Sequence, residues 1–87
     1  MFYVYVLKSR KDGSSYIGFA PDLRARIKKH ENGEVRSTKN TRPLLLVYYE
    51  AYRDKRDALY REKQLKRFAK GFASLKRRIY YSLMLQG

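Results

Sequence analysis

Hydrophobic and polar positions alternate from the first residues of the chain. In residues 2–8, FYVYVLK, Phe2, Val4 and Val6 fall on one face and Tyr3, Tyr5 and Leu7 on the other. This β-branched and aromatic run predicts a strand. Asp12-Gly13 is a strong turn signal, and the β-prone segment Ser15 to Phe19 after it predicts an antiparallel hairpin. A two-residue turn there places Tyr16 opposite Ser9, on the same face as Tyr5; a slip by one residue would separate the two phenols. Pro21 suits a first helical turn, Asp22 suits the positive end of a helix, and Gly33 offers a left-handed stop, so a helix is expected from about Asp22 to Glu31. A polar loop, Glu34 to Arg42, leads to Pro43. The apolar run Leu44 to Tyr52 predicts a third, central strand, and two basic helices follow, Lys55 to Phe68 and Phe72 to Met84, with Gly71 between them. The order is ββαβαα, a mixed α/β (α+β) domain with helices on a three-stranded, antiparallel-containing sheet.

Length and composition narrow this picture. A chain of 87 residues has room for one core, burying roughly 60 to 65% of the unfolded surface, so residues 1–87 are expected to form a single domain. No Gly/Ser/Pro tract or repeat interrupts it. The start MFYVYVLKSR lacks a basic leader, a long apolar run and a cleavage site, which points to a strand in a cytoplasmic protein. The net charge of +13, from 21 Lys and Arg against 8 Asp and Glu, repels itself and points to a polyanionic partner. Because the basic residues are spread over the helices rather than gathered in a lipid-anchoring segment, nucleic acid is favoured over a membrane. The absence of cysteine excludes disulfides, thiolate zinc sites and Cys nucleophiles, and a lone His30 excludes a multi-histidine site. Any metal must be held by oxygen, which favours Mg²⁺ or Mn²⁺.

A few positions break the pattern. Tyr5 and Tyr16 share a strand face, where tyrosines usually pack. On the first predicted helix Leu23, Arg26, Ile27 and His30 fall at i, i+3, i+4 and i+7, so a guanidinium and an imidazole lie on the inward stripe. Either Arg26 packs its stem and leaves its head in water, or both groups line a cleft that receives a phosphate. On the second helix Ala58, Glu62 and Leu65 place a carboxylate toward the apolar side. That charge needs a partner: a salt bridge to Arg26 is one reading, a metal the other. Two phenols, an Arg, a His and one carboxylate are a suitable set for phosphoryl transfer.

These residues resemble the GIY-YIG nuclease family. Tyr16-Ile17-Gly18 is the second half of its signature, and Tyr3-Val4-Tyr5 stands where GIY would. Arg26, His30 and Glu62, the last in Arg61-Glu62-Lys63-Gln64-Leu65-Lys66, follow in the family's order over about residues 2 to 70. Thr41-Arg42-Pro43 and REKQLK are similar to the stand-alone, single-domain bacterial branch. The resemblance implies a metal-dependent endonuclease, similar to the nuclease domains of excision-repair and homing endonucleases. Glu62 would ligate one Mg²⁺ or Mn²⁺ ion, and Arg26 would hold the scissile phosphate. Tyr5 and Tyr16 would orient or deprotonate the attacking water, with Tyr5 favoured as the base, and His30 would bond a tyrosine or the phosphate. The sequence departs from the family at three points: Tyr3 replaces the first glycine, Phe19 stands where several members carry lysine, and no asparagine follows Glu62.

Lys28, Lys29, Lys39, Arg42, Lys63, Lys66 and Arg67 would grip phosphates of nucleic acid, with DNA favoured over RNA and structure over sequence as the basis of selection. A monomer or weak homodimer is expected, with Tyr81, Met84 and Leu85 as a possible partner surface. Two rival readings are a binding module of the same fold without chemistry and a small basic assembly protein.

Overall fold

The computed structural model describes residues 1–84. Three strands, β1 (Phe2–Ser9), β2 (Ser15–Ala20) and β3 (Leu44–Tyr52), form an antiparallel sheet in the order β2-β1-β3. The first strand, not the third, is therefore central, and the reason lies in its two apolar faces. Val4 and Val6 are fully buried on one side; Tyr5 and Leu7, each 1% exposed, are buried on the other. Among the described residues four helices, α1 (Leu23–Glu31), α2 (Lys55–Arg67), α3 (Ala69–Arg78) and α4 (Tyr80–Met84), complete the architecture. On the Val4 face the core gathers Ile17, Ala58, Leu65, Leu75 and Ile79, so α2 and α3 cover this side. On the Tyr5 face Leu23 and Ile27 of α1 pack with Leu7, Ala20, Leu44 and Leu46.

The hairpin register differs from the expected one. Tyr16 pairs with Leu7, not Ser9, and Tyr5 pairs with Gly18. Ser9 causes the change by organising a longer loop. Its hydroxyl accepts the N–H groups of Lys11 and Asp12, each at 3.1 Å, and its carbonyl accepts the Gly13 N–H at 2.9 Å. Gly13 sits at φ 77, the left-handed conformation that only glycine adopts cheaply. The shift is by two residues, so Tyr16 stays on the Tyr5 face.

Asp22 caps α1, accepting the Ala25 N–H at 3.0 Å, and Pro21 lies just before this cap rather than inside the helix. Gly33, at φ 74, provides the left-handed stop after α1. The loop beyond it contains a short 3-10 turn, Lys39–Thr41. The expected final helix, Phe72 to Met84, is two helices broken at Ile79, and α3 begins at Ala69, so the break from α2 falls at Phe68 rather than Gly71. Gly71 lies within α3, where a Cβ would stand 3.0 Å from the Gln64 carbonyl oxygen; the glycine lets α3 close onto the end of α2. Tyr80, just after the break at Ile79, is 56% exposed, although the helix expected from Phe72 to Met84 would set it beside Ile79 on the apolar side. Leu59, beside the Glu62 stripe, is likewise exposed, at 41%. Tyr81 and Met84 are exposed, while Leu85 lies outside the described residues.

A polar cluster fixes α2 on the sheet. Glu50 of β3, on the Val4 face, receives a fork from Arg61, with Nε at 3.0 and 3.1 Å and Nη2 at 3.0 Å from its oxygens. Tyr48 donates to the same carboxylate at 2.6 Å, and Tyr52 donates to its other oxygen. Burial alone would raise the Glu50 pKa, but these donors outweigh it and hold the carboxyl below its ordinary value. Burial and the neighbouring carboxylate push both phenols up to about 12. With Arg61 anchored to β3, the next residue, Glu62, turns about 100° around the helix, out of this cluster.

Candidate active site

The site grows from one close approach. Tyr5, at the centre of β1, lies opposite Gly18 of β2, and its ring crosses that glycine. A Cβ at Gly18 would overlap the Tyr5 hydroxyl and Cζ. The Gly18→Ala variant is therefore expected to lose about 1 to 3 kcal/mol of stability through overpacking, measured by urea unfolding, because the Tyr5 ring cannot yield without leaving its partner.

That partner is His30, whose Nε2 lies 2.7 Å from the Tyr5 hydroxyl; its Nδ1 lies 2.7 Å from the Thr38 hydroxyl. All three residues are 1% exposed, so the chain Tyr5–His30–Thr38 is shielded from bulk solvent. Burial, followed by the nearby Arg26 guanidinium, holds the His30 pKa below the usual imidazole value. Burial pushes the Tyr5 phenol well above its ordinary range; Tyr16 and Glu62 add to the shift and Arg26 opposes it. At neutral pH the pair is thus a phenol beside a neutral imidazole. One arrangement lets the Tyr5 O–H donate to Nε2 while Nδ1–H donates to Thr38.

The other predicted residues gather around this pair. The half-buried Tyr16 ring lies 6.3 Å from that of Tyr5 and 5.1 Å from that of His30. Arg26, half-buried on the same flank of α1 as His30, acts electrostatically on both Tyr5 and His30. Glu62 reaches in from α2 with its side chain 19% exposed. Its ion-pair partner is Lys66, at 3.1 Å one turn along the helix, rather than the Arg26 considered from sequence. The Lys66 ammonium also lies 5.9 Å from the Tyr16 ring centroid. Tyr5, Tyr16, Arg26, His30 and Glu62 therefore converge from β1, β2, α1 and α2.

Among the described residues no three His, Cys, Asp or Glu side chains form a metal-binding group. The cluster contributes a single carboxylate, Glu62, with phenol oxygens nearby. Such a set fits a hard cation that keeps most of its waters and leans on a substrate phosphate, as Mg²⁺ does, and does not fit a fully protein-ligated ion.

Of the expected phosphate-gripping residues, Lys28, Lys29, Lys39, Lys63, Lys66 and Arg67 are exposed. Arg42 is partly committed to the protein, donating to the carbonyls of Lys39 at 3.0 Å and Glu31 at 3.3 Å. Sequence reasoning missed Thr38, a lone threonine in a polar loop that carries no periodicity to mark it as buried. It also missed the Glu50–Arg61 anchor, since a glutamate in a strand signals nothing until its partner is known.

The GIY-YIG catalytic domain family matches residues 1–72. The chain belongs to this family, and its domain is of nuclease type, acting on nucleic acid. It is 46% identical over 69 residues to a UPF0213 protein of Staphylococcus saprophyticus, covering 78% of this chain and 83% of that one. UPF0213 proteins of Staphylococcus epidermidis and Staphylococcus aureus are 45% and 44% identical over the same length. The solution NMR structure of a UPF0213 protein from Bacillus halodurans superposes with a TM-score of 0.54 at 36% identity, covering 87% of this chain and 86% of that one. Among the described residues no helix is long and apolar enough to cross a membrane.

Proposed function

We propose that the protein is a metal-dependent endonuclease that hydrolyses phosphodiesters in nucleic acid, DNA before RNA, with selection by structure. The observation that carries this reading is the convergence of Arg26, Glu62 and two phenols on the buried His30–Thr38 pair. Glu62 would hold one Mg²⁺ or Mn²⁺ ion, which supplies Lewis acidity to the phosphoryl oxygens when bound. Arg26 offers a fork of donors to the non-bridging oxygens, where negative charge develops. Tyr16, the less buried of the two phenols, orients the attacking water. Tyr5 is the base and works as a relay: its oxygen takes the water proton as its own proton passes to Nε2 of neutral His30. A free Tyr5 phenolate is avoided, which answers the difficulty posed by its raised pKa. The new P–O bond forms from the water oxygen, and the bond to the leaving oxygen breaks.

Labelled single-stranded, branched, nicked and duplex DNA and RNA, incubated at low salt with Mg²⁺, Mn²⁺ or EDTA, test the reading. Cuts that require the metal support it; no cut in any substrate with either ion overturns it in favour of binding without chemistry.

The relay also sets a pH dependence. Because neutral His30 is the proton acceptor and its pKa is held below 6.5, the rate is flat near neutrality and falls tenfold per pH unit below the His30 pKa. The stability sign agrees: a depressed folded-state pKa contributes stability that is present above 6.5 and is lost as pH falls toward the folded value. Thr38→Val removes the acceptor of Nδ1–H and releases the tautomer. It is expected to cost about 1 to 3 kcal/mol of stability and about tenfold in rate, read from urea unfolding and a pH–rate profile.

A further inference from the structure

The geometry points to a second binding site, for an unpaired nucleobase, on the flank of α1 opposite the candidate active site; this rests on nucleic acid being the substrate. On α1, Arg26 and His30 share one flank, while Arg24 and Lys28, also one turn apart, share the other. Between that second flank and β3 runs an open groove of about 780 Å³. Its floor is the Tyr5 face of the sheet where α1 leaves it uncovered. Tyr49 pairs with Tyr5 across β1 and β3 yet is 53% exposed, and Tyr3 meets its ring edge-on with centroids 5.9 Å apart. The half-buried Leu46 and Ile27 and the exposed Arg24 and Lys28 also line it.

An aromatic face held open on a rigid sheet, beside two cations, suits base stacking with the adjoining phosphates on the rim. The two acids at the groove do not exclude a polyanion. Asp22 is committed to capping α1, and Glu31 lies at the helix's other end, offering an acceptor to a base amino group. A second copy of this chain is disfavoured as occupant by the net charge of +13 on each copy. Arg26 and this groove lie across one helix diameter, so a strand held by Arg26 crosses the basic ridge of α1 and sets a base a few nucleotides away on Tyr49. Paired bases are not free to enter, so the site selects substrates with a single-stranded stretch beside the cut.

The test is equilibrium binding, in EDTA, of a labelled single-stranded oligonucleotide and of the same strand carrying single abasic positions. Wild type is expected to lose about 5- to 150-fold in affinity at one abasic position. Tyr49→Ala should lose a similar factor on the intact strand and become indifferent to that position, while Tyr49→Phe retains both affinity and sensitivity. Wild-type indifference to every abasic position, or wild-type affinity in Tyr49→Ala, overturns the site. Cleavage with Mg²⁺ is scored separately. Cutting without abasic sensitivity discards this site alone, and abasic sensitivity without cutting discards the nuclease reading alone.

Discussion

Replacing Glu62 by Gln is expected to abolish cleavage while leaving nucleic-acid binding intact. The substitution preserves shape and removes one negative charge from the only carboxylate in the cluster. If Lewis-acid stabilisation of the transition state is worth about 4 kcal/mol, and about 1.4 kcal/mol is tenfold, the rate falls on the order of 10³-fold. Binding should hold or tighten slightly, because Lys66 loses its partner and becomes free for phosphate. Single-turnover cleavage beside binding in EDTA separates the two effects. Equal rates for the two proteins would remove Glu62 from the chemistry.

The second large effect belongs to Arg26. Arg26→Ala removes the donors proposed to hold the phosphate, and a loss of about 10²- to 10³-fold in kcat is expected. Lysine keeps the charge but not the fork, so Arg26→Lys should recover only part of the rate. His30 supplies a second readout. Arg26 contributes to holding its pKa down, so the acidic limb of the pH–rate profile should move upward in Arg26→Ala. A merely structural Arg26 would leave that limb in place.

The strands were legible because β1 is apolar on both faces, and its alternation alone assigns Tyr5 and Val4 to opposite cores. Strand order was not. The longer apolar run of β3 suggests a central position, yet β1, buried on both faces, takes it: it pairs locally with β2 on one side, while the return of β3 on the other is a long-range event. The register failed by two residues because Asp12-Gly13 looks like a complete turn, whereas the Ser9 side chain recruits Lys11 and Asp12 into a five-residue loop. Tyr5, Tyr16, Arg26, His30 and Glu62 were each visible as polar groups on apolar stripes, and the fold brings them together. What closes the site was invisible. Thr38 is defined only by where its loop lands, and Arg61, one of many basic residues on α2, is distinguished only by meeting Glu50 on the sheet face that α2 covers. Side chains that act through tertiary partners leave no periodic trace.

A domain of 10.4 kDa allows the metal claim to be read residue by residue. The measurement is paramagnetic broadening of the amide and tyrosine-ring NMR signals by substoichiometric Mn²⁺, with an oligonucleotide too short to be cut supplying the phosphate. Broadening centred on Glu62, Tyr5, Tyr16 and Arg26, and absent from Glu62→Gln, is the predicted result. Broadening centred instead on Asp54 and Asp57, or spread evenly over the domain in both proteins, would contradict the assignment of this cluster as a metal-using catalytic centre.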